Sequence, residues 1–206
     1  MTFALIVVAG YLLGSCPWGY WLVRIFRHED IRQHGSGATG GSNVWRNYGR
    51  RLGIPVICLD ALKGFAPALI GVVYVSHLCG ILAGVAAMIG HARPLFLRFE
   101  KGGKMVATGG GVLAAVCPWV ALATAGVWLA VFLISRYTSL ASILSAVALP
   151  ILTVAIGYPT SVIVFSAFTG AAVIFLHRTN LRRLRAGTEN RFRGLRRASR
   201  TSSASL

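Results

Sequence analysis

Apolar positions run through this chain in long blocks with no polar stripe at helical spacing. Residues 2–23 form the first block. Others cover roughly 53–75, 78–90, 105–117, 119–134, 139–157 and 160–176. Short polar or turn-forming stretches separate them: Ser76-His77, residues 91–104, Pro118, SRYT at 135–138 and GYPT at 157–160. An uninterrupted apolar block of about 20 residues reads as a helix surrounded by lipid. A membrane β-barrel would need short alternating segments instead. The pattern therefore predicts an all-α integral membrane protein with seven transmembrane helices. The first block has no Lys or Arg before it and continues past LLGSC through PWGYWLV to Arg24. That makes about 22 residues, a full span, so it is expected to stay as a helix rather than be cleaved as a signal. Blocks 78–90 and 105–117 are short, about 20 Å of helix against about 30 Å of hydrocarbon. They are expected to borrow flanking residues, to tilt little, or to be partly re-entrant.

Composition agrees with the pattern. Of 206 residues, 55% are apolar and 13% charged, where a soluble domain carries about 25% charged residues. The net charge of +16 is unevenly placed. All but one of the 21 Lys and Arg lie in the first, third and fifth connections or after the last block; the exception is Lys63. By the positive-inside rule the N-terminus lies outside and the C-terminus in the cytoplasm. Cys16, Cys58, Cys79 and Cys117 form no CxxC or zinc-like spacing and read as small apolar residues.

This topology collects the polar motifs on one side. The most unusual is HGSGATGGSNVWR at 34–46. Gly35, Gly37 and Gly40 match GxGxxG, but a transmembrane helix and charged residues precede them where a dinucleotide site needs a strand. Gly41 stands where a P-loop needs its lysine. The shared physics still applies: glycines let backbone N–H groups approach a ligand closely and form a nest for an anion. Ser36, Thr39, Ser42 and Asn43 add donors, Arg46 adds a fixed charge, and a helix starting near Asn43 would add its positive end. Close helix crossing is the other use of such glycines. A second glycine-rich cationic turn, Lys101-Gly102-Gly103-Lys104, feeds into an apolar block. His91 sits where a base, a hydrogen-bond donor or a plain interfacial histidine would all fit. Asp60 and Lys63, at i,i+3 within a span, read as an internal ion pair bracing the bundle. Ser139, Ser142, His177 and Asn180 lie near the cytoplasmic ends of the last two helices.

Together these residues resemble one family, the bacterial membrane glycerol-3-phosphate acyltransferases that take acyl phosphate as donor. The first family motif resembles GSGNxGATNxxR, here residues 35–46. The second resembles GHxxPxF…KGGKGVAT, here Gly90-His91, Pro94, Phe96 and KGGKMVAT at 101–108. The third resembles RYxSLAS, here 136–142, followed by HRTN at 177–180 and GTENRF at 187–192; DALKG from Asp60 to Gly64 also fits. The likeness covers residues 10–192. Ala38 replaces an asparagine, Met105 a glycine, and Glu100 is one extra residue before KGGK.

The resemblance implies transfer of a fatty acyl group from acyl phosphate to the 1-hydroxyl of glycerol 3-phosphate. The products would be lysophosphatidate and phosphate, the first step of phospholipid synthesis. It implies no cofactor and no metal. Ser36, Arg46 and Lys104 match phosphate-binding positions, and His91 and Asn180 match positions near the reacting groups. Gly37, Asn43, Ser139 and His177 complete the candidate binding set, and Ser142 the catalytic one. The expected partners are the two substrates and membrane lipids, with no nucleic acid and no obligatory protein partner. The expected location is a bacterial plasma membrane, with the site facing the cytoplasm. An acyl phosphate is an activated mixed anhydride, so positioning two phosphates beside one hydroxyl can supply much of the rate. Residues 1–192 are expected to form the membrane domain and 193–206 a basic, Ser-rich disordered tail. Alternative readings are a transporter of phosphate esters or anions, and an inactive relative acting as a membrane scaffold.

Overall fold

A computed structural model describes residues 1–192; the basic tail at 193–206 lies outside the described residues. Within them the regular secondary structure is entirely helical: α1 (Thr2–Gly14), α2 (Trp18–Arg27), α3 (Gly41–Tyr48), α4 (Arg50–Tyr74), α5 (His77–Ala92), α6 (Val106–Val116), α7 (Pro118–Ser135), α8 (Thr138–Ile156), α9 (Thr160–Leu176) and α10 (Arg178–Arg185). Two short 3₁₀ turns, Ile31–Gln33 and Leu95–Leu97, lie in the loops. Five helical stretches are long and apolar enough to cross a membrane: Thr2–Arg27, Arg50–Tyr74, His77–Leu97, Pro118–Ser135 and Thr138–Ile156. A sixth would be the pair α9 and α10, bent by 57°, while α6 is shorter.

The first apolar block is not one continuous helix. It breaks at residues 15–17, where Pro17 has no N–H to give and the Ser15 hydroxyl turns back to the Tyr11 carbonyl at 2.8 Å. The freed Cys16 carbonyl accepts from Lys63 Nζ at 2.8 Å. A backbone group exposed within a membrane protein needs such a partner. Pro118 likewise separates α6 from α7, taking the first position of the new helix, where its missing N–H costs nothing.

The helices approach through small residues. A Cβ on Gly14 of α1 would overlap the backbone of Ala87 on α5, and one on Gly111 of α6 would overlap the Ala61 carbonyl on α4. Such close crossings suit helices in lipid, where dispersion contacts replace the hydrophobic effect as the main attraction. Met88, Val112, Val116, Leu149, Phe165 and Val173 pack into a core shared by α5, α6, α8 and α9. A smaller core of Val23, Ile31, Val44 and Val56 supports the loop before α3. On α7 only Val120 is buried, and Trp119, Leu122, Leu129, Leu133 and Ile134 face outward.

Candidate active site

The glycine-rich loop is shaped by its own side chains. Gly35 and Gly37 have φ of 60° and 66°, which lets the chain double back onto α3. Asn43 holds the fold-back: its amide nitrogen donates to the carbonyls of His34 (3.0 Å) and Ala38 (2.9 Å), and its oxygen accepts from the Ser36 N–H (3.1 Å). α3 starts at Gly41, two residues before the expected Asn43, so its positive N-terminal end lies inside the motif.

The second loop docks against both the first loop and α5. Gly102 and Gly103 donate to the carbonyls of Ala92 and His91 at 3.0 and 2.9 Å, capping the end of α5. A Cβ on Gly103 would overlap the His91 ring. Lys101 Nζ donates to the Ser36 carbonyl at 2.9 Å, and Arg32 pairs with both Asp30 and Glu100. Glu100, the extra residue, therefore ties the two loops together.

A third group hangs on Glu189, whose side chain is 1% exposed. Its carboxylate accepts from Ser139 Oγ (2.8 Å), Asn180 Nδ2 (2.7 Å) and Arg183 Nε (2.7 Å). Burial pushes this carboxyl up, but those donors outweigh it and hold it below the usual carboxylate range. Asn180 turns its oxygen to Lys104 Nζ at 2.6 Å. Burial draws the Lys104 ammonium down to about 8, with Arg183, Lys101 and Arg46 adding to the effect and Glu189 opposing it. Burial also lowers Arg46, which engages no side-chain hydrogen bond among the described residues. The end of the described chain closes over this group: the Phe192 N–H meets the Arg136 carbonyl at 2.7 Å, and its ring packs edge-on against Trp45 and Phe132.

All three groups border one cavity of about 430 Å³. Ser36, Asn43, Arg46, His91, Lys104, Ser139, Ser142, His177 and Asn180 line it, so nine of the ten expected residues are brought together. Gly37 is not on the wall; it shapes the loop behind it. Asn43 is spent on the loop. Ser142 is engaged on both sides, donating to the Thr138 carbonyl (2.8 Å) and accepting from Trp128 Nε1 (3.2 Å). His177 Nδ1 lies 2.8 Å from the Val173 carbonyl, which leaves Nε2 as its free nitrogen. His91 Nδ1 stands 3.5 Å from Asp60 Oδ1, and Lys63 Nζ holds the same oxygen at 2.7 Å. Much of the remaining wall is apolar, with Val106, Ala107 and Leu113 of α6, Ala121 and Ala125 of α7, Leu149 of α8 and Val173 of α9, interrupted by the hydroxyls of Thr124, Ser145 and Thr169.

Glu189, Arg183 and Trp128 were not expected as site residues. Glu189 carried a signal, as the one acid among the arginines following the last apolar block. Trp128 carried none.

A chamber with cations and hydroxyls on part of its wall and a mostly apolar arm among membrane helices suits a molecule with a phosphate-bearing head and a greasy chain. The family described as Glycerol-3-phosphate acyltransferase matches residues 4–187. Glycerol-3-phosphate acyltransferases of Synechococcus sp. (strain JA-3-3Ab) and Aquifex aeolicus (strain VF5) are 45% and 43% identical; each aligns with 91% of this chain, and with 92% and 97% of its own length. The chain is also similar to the crystal structure of PlsY, an integral membrane glycerol 3-phosphate acyltransferase, in its glycerol 3-phosphate form. That match has a TM-score of 0.89 and 41% identity over 93% of this chain and 96% of that one. The lysophosphatidic acid form gives 0.85 and 40%. This chain belongs to the glycerol-3-phosphate acyltransferase family.

Proposed function

We propose that the protein moves a fatty acyl group from acyl phosphate to the 1-hydroxyl of glycerol 3-phosphate, at a site facing the cytoplasm of a bacterial plasma membrane. The observation that carries this reading is the pair Arg46 and Lys104: two cations lining a cavity whose walls among α6 to α9 are mostly apolar. Two phosphates, one on each substrate, would satisfy them. Ser36 and the N–H groups at the start of α3 add donors, and Asn180, with its oxygen on Lys104, orients the lysine head. Ser139 and Asn180 are held by Glu189; Asn43 braces the loop, Ser142 positions Trp128, and His177 borders the acceptor side. The acyl chain lies along α6 to α9.

In the reaction, the glycerol hydroxyl oxygen bonds to the acyl carbon while the bond from that carbon to the phosphate oxygen breaks. His91 Nε2 takes the hydroxyl proton and passes it to the departing phosphate. Charge developing on that phosphate is stabilised by cations already in place, which is the form of electrostatic help that costs no reorganisation. Seven crossings, with the N-terminus outside, place the basic loops and the cavity at the inner face.

The deciding experiment assays purified protein with glycerol 3-phosphate and either acyl phosphate or acyl coenzyme A. Lysophosphatidate and phosphate should appear only with acyl phosphate. Arg46→Ala and Lys104→Ala should each lower kcat/KM about 30- to 1,000-fold, the cost of about 2–4 kcal/mol for a lost charged donor. Equal turnover with the coenzyme A donor would sink the donor assignment. Near-normal efficiency in both variants would sink the phosphate cradle.

A further inference from the structure

Met105 lines the cavity. Lys104, the cation of the polar end, precedes it, and Val106, Ala107, Gly109 and Gly110 on the cavity side of α6 follow. Its backbone has φ 65° and ψ 0°, a left-handed conformation that glycine adopts freely and methionine only under constraint. The tight positions just before it, Gly102 and Gly103, do carry glycine, and Met105 itself replaces the glycine of the motif it resembles. The side chain is 7% exposed, belongs to the central core and also lines the cavity. A residue retained there against its backbone preference points to work done by the side chain.

We propose that Met105 is a specificity-determining residue. It narrows the passage from phosphate cradle to apolar arm, so that the chamber takes straight-chain acyl groups and rejects those with a methyl branch next to the carbonyl carbon. The inference rests on the acyl-phosphate reading above. If Lys104 holds the donor phosphate, the acyl carbon is one oxygen beyond it. Met105, the next residue along the wall and part of the central core, then faces the first carbons of the chain. Methionine usually adapts to what it touches. Here its burial within the core limits that freedom, so an added methyl group has to displace packed atoms.

The test compares hexadecanoyl phosphate with 2-methylhexadecanoyl phosphate as donors for purified wild type, Met105→Gly, Met105→Ala and Met105→Leu, with folding checked by thermal unfolding. A misplaced methyl group is worth about 10- to 200-fold. Wild type and Met105→Leu should therefore prefer the straight chain at least about tenfold in kcat/KM. Met105→Gly should bring that ratio within about threefold by gaining on the branched donor, and Met105→Ala should move the same way should the glycine variant not fold. A wild type that accepts both donors equally overturns the proposal. So does an unchanged ratio in a small-residue variant that still turns over the straight chain. Absence of any turnover of hexadecanoyl phosphate by wild type is a different failure, since it removes the donor reading itself and this inference with it.

Discussion

Lys104 shows how a residue at the cavity is tuned by its surroundings. Burial, with cations nearby, brings its ammonium down to about 8, against about 10.4 for an unperturbed lysine. The charged form is thus present below about pH 8 and lost as pH rises through that value. A phosphate dianion needs the charge, so kcat/KM, which reports the free enzyme, should fall above about pH 8. Lys104→Arg should be slower but should lose this alkaline limb, because guanidinium stays charged. A wild-type profile that is flat up to about pH 10 would refute the assignment. For stability the sign is reversed. The folded state penalises the charged lysine below pH 8, and that penalty is relieved between about 8 and 10.4, where the unfolded chain still binds the proton. At this scale the sequence was informative about residue types and less so about their duties. Asn43 and Ser142 have the same chemistry as a phosphate ligand or a reacting hydroxyl. Only the fold reveals that Asn43 is occupied by the His34 and Ala38 carbonyls, and Ser142 by Trp128. Glu189 gathers partners from α8 and α10, a convergence that no spacing along the chain encodes.

At the scale of elements, α4 carries the most consequential polar pair. Asp60 and Lys63 read from sequence as an ion pair bracing the bundle, and the 2.7 Å contact between them forms that pair. The spacing could not reveal its two further contacts, to the Cys16 carbonyl at the α1–α2 break and to His91 at the end of α5. The pair thereby ties α4 both to the α1–α2 break and to the far end of α5. Removing one buried partner leaves the other charge uncompensated. Asp60→Ala should cost about 3–5 kcal/mol. Asp60→Ala combined with Lys63→Met should cost clearly less than the two single changes added together. Thermal unfolding of the four proteins in one detergent measures this, and strict additivity would mean that the pair contributes nothing as a pair. The helices themselves were the most legible elements, because an apolar block in lipid has few alternatives to a helix. Their ends were less so. α5 reaches two residues beyond the expected 78–90 block to Ala92, because Gly102 and Gly103 cap its last carbonyls. α1 stops at Gly14, because Pro17 and the lysine of another helix make a break affordable there.

Over the whole molecule, the placement of charge and the placement of the cavity agree. His77 at the start of α5 meets the Val116 carbonyl at the end of α6 (3.0 Å), and Tyr158 of the α8–α9 connection packs on the central core that includes Val116 and Val120. These connections hold no Lys or Arg. Most of the basic residues lie between Arg24 and Arg51, in the loop at 93–104 and after α9, and the described parts of these segments meet around the cavity. Inverting the protein would place those arginines and lysines outside, against the bias that orients membrane proteins. It would also separate the site from phosphorylated substrates made inside the cell. Single cysteines placed in a version lacking the four native ones test the orientation. Tyr74→Cys and Thr160→Cys, both exposed at helix ends beside the charge-free connections, should react with a membrane-impermeant maleimide added to intact cells. Arg50→Cys, exposed beside the glycine-rich loop, should react only after the membrane is opened. Labelling of Arg50→Cys from outside would overturn the orientation, and with it the inner-face site. Labelling of Tyr74→Cys but not of Thr160→Cys from outside would show instead that an odd number of the four segments between them cross the membrane, and α6, with 11 residues and about 16 Å of helix, is the element whose crossing would then fail first.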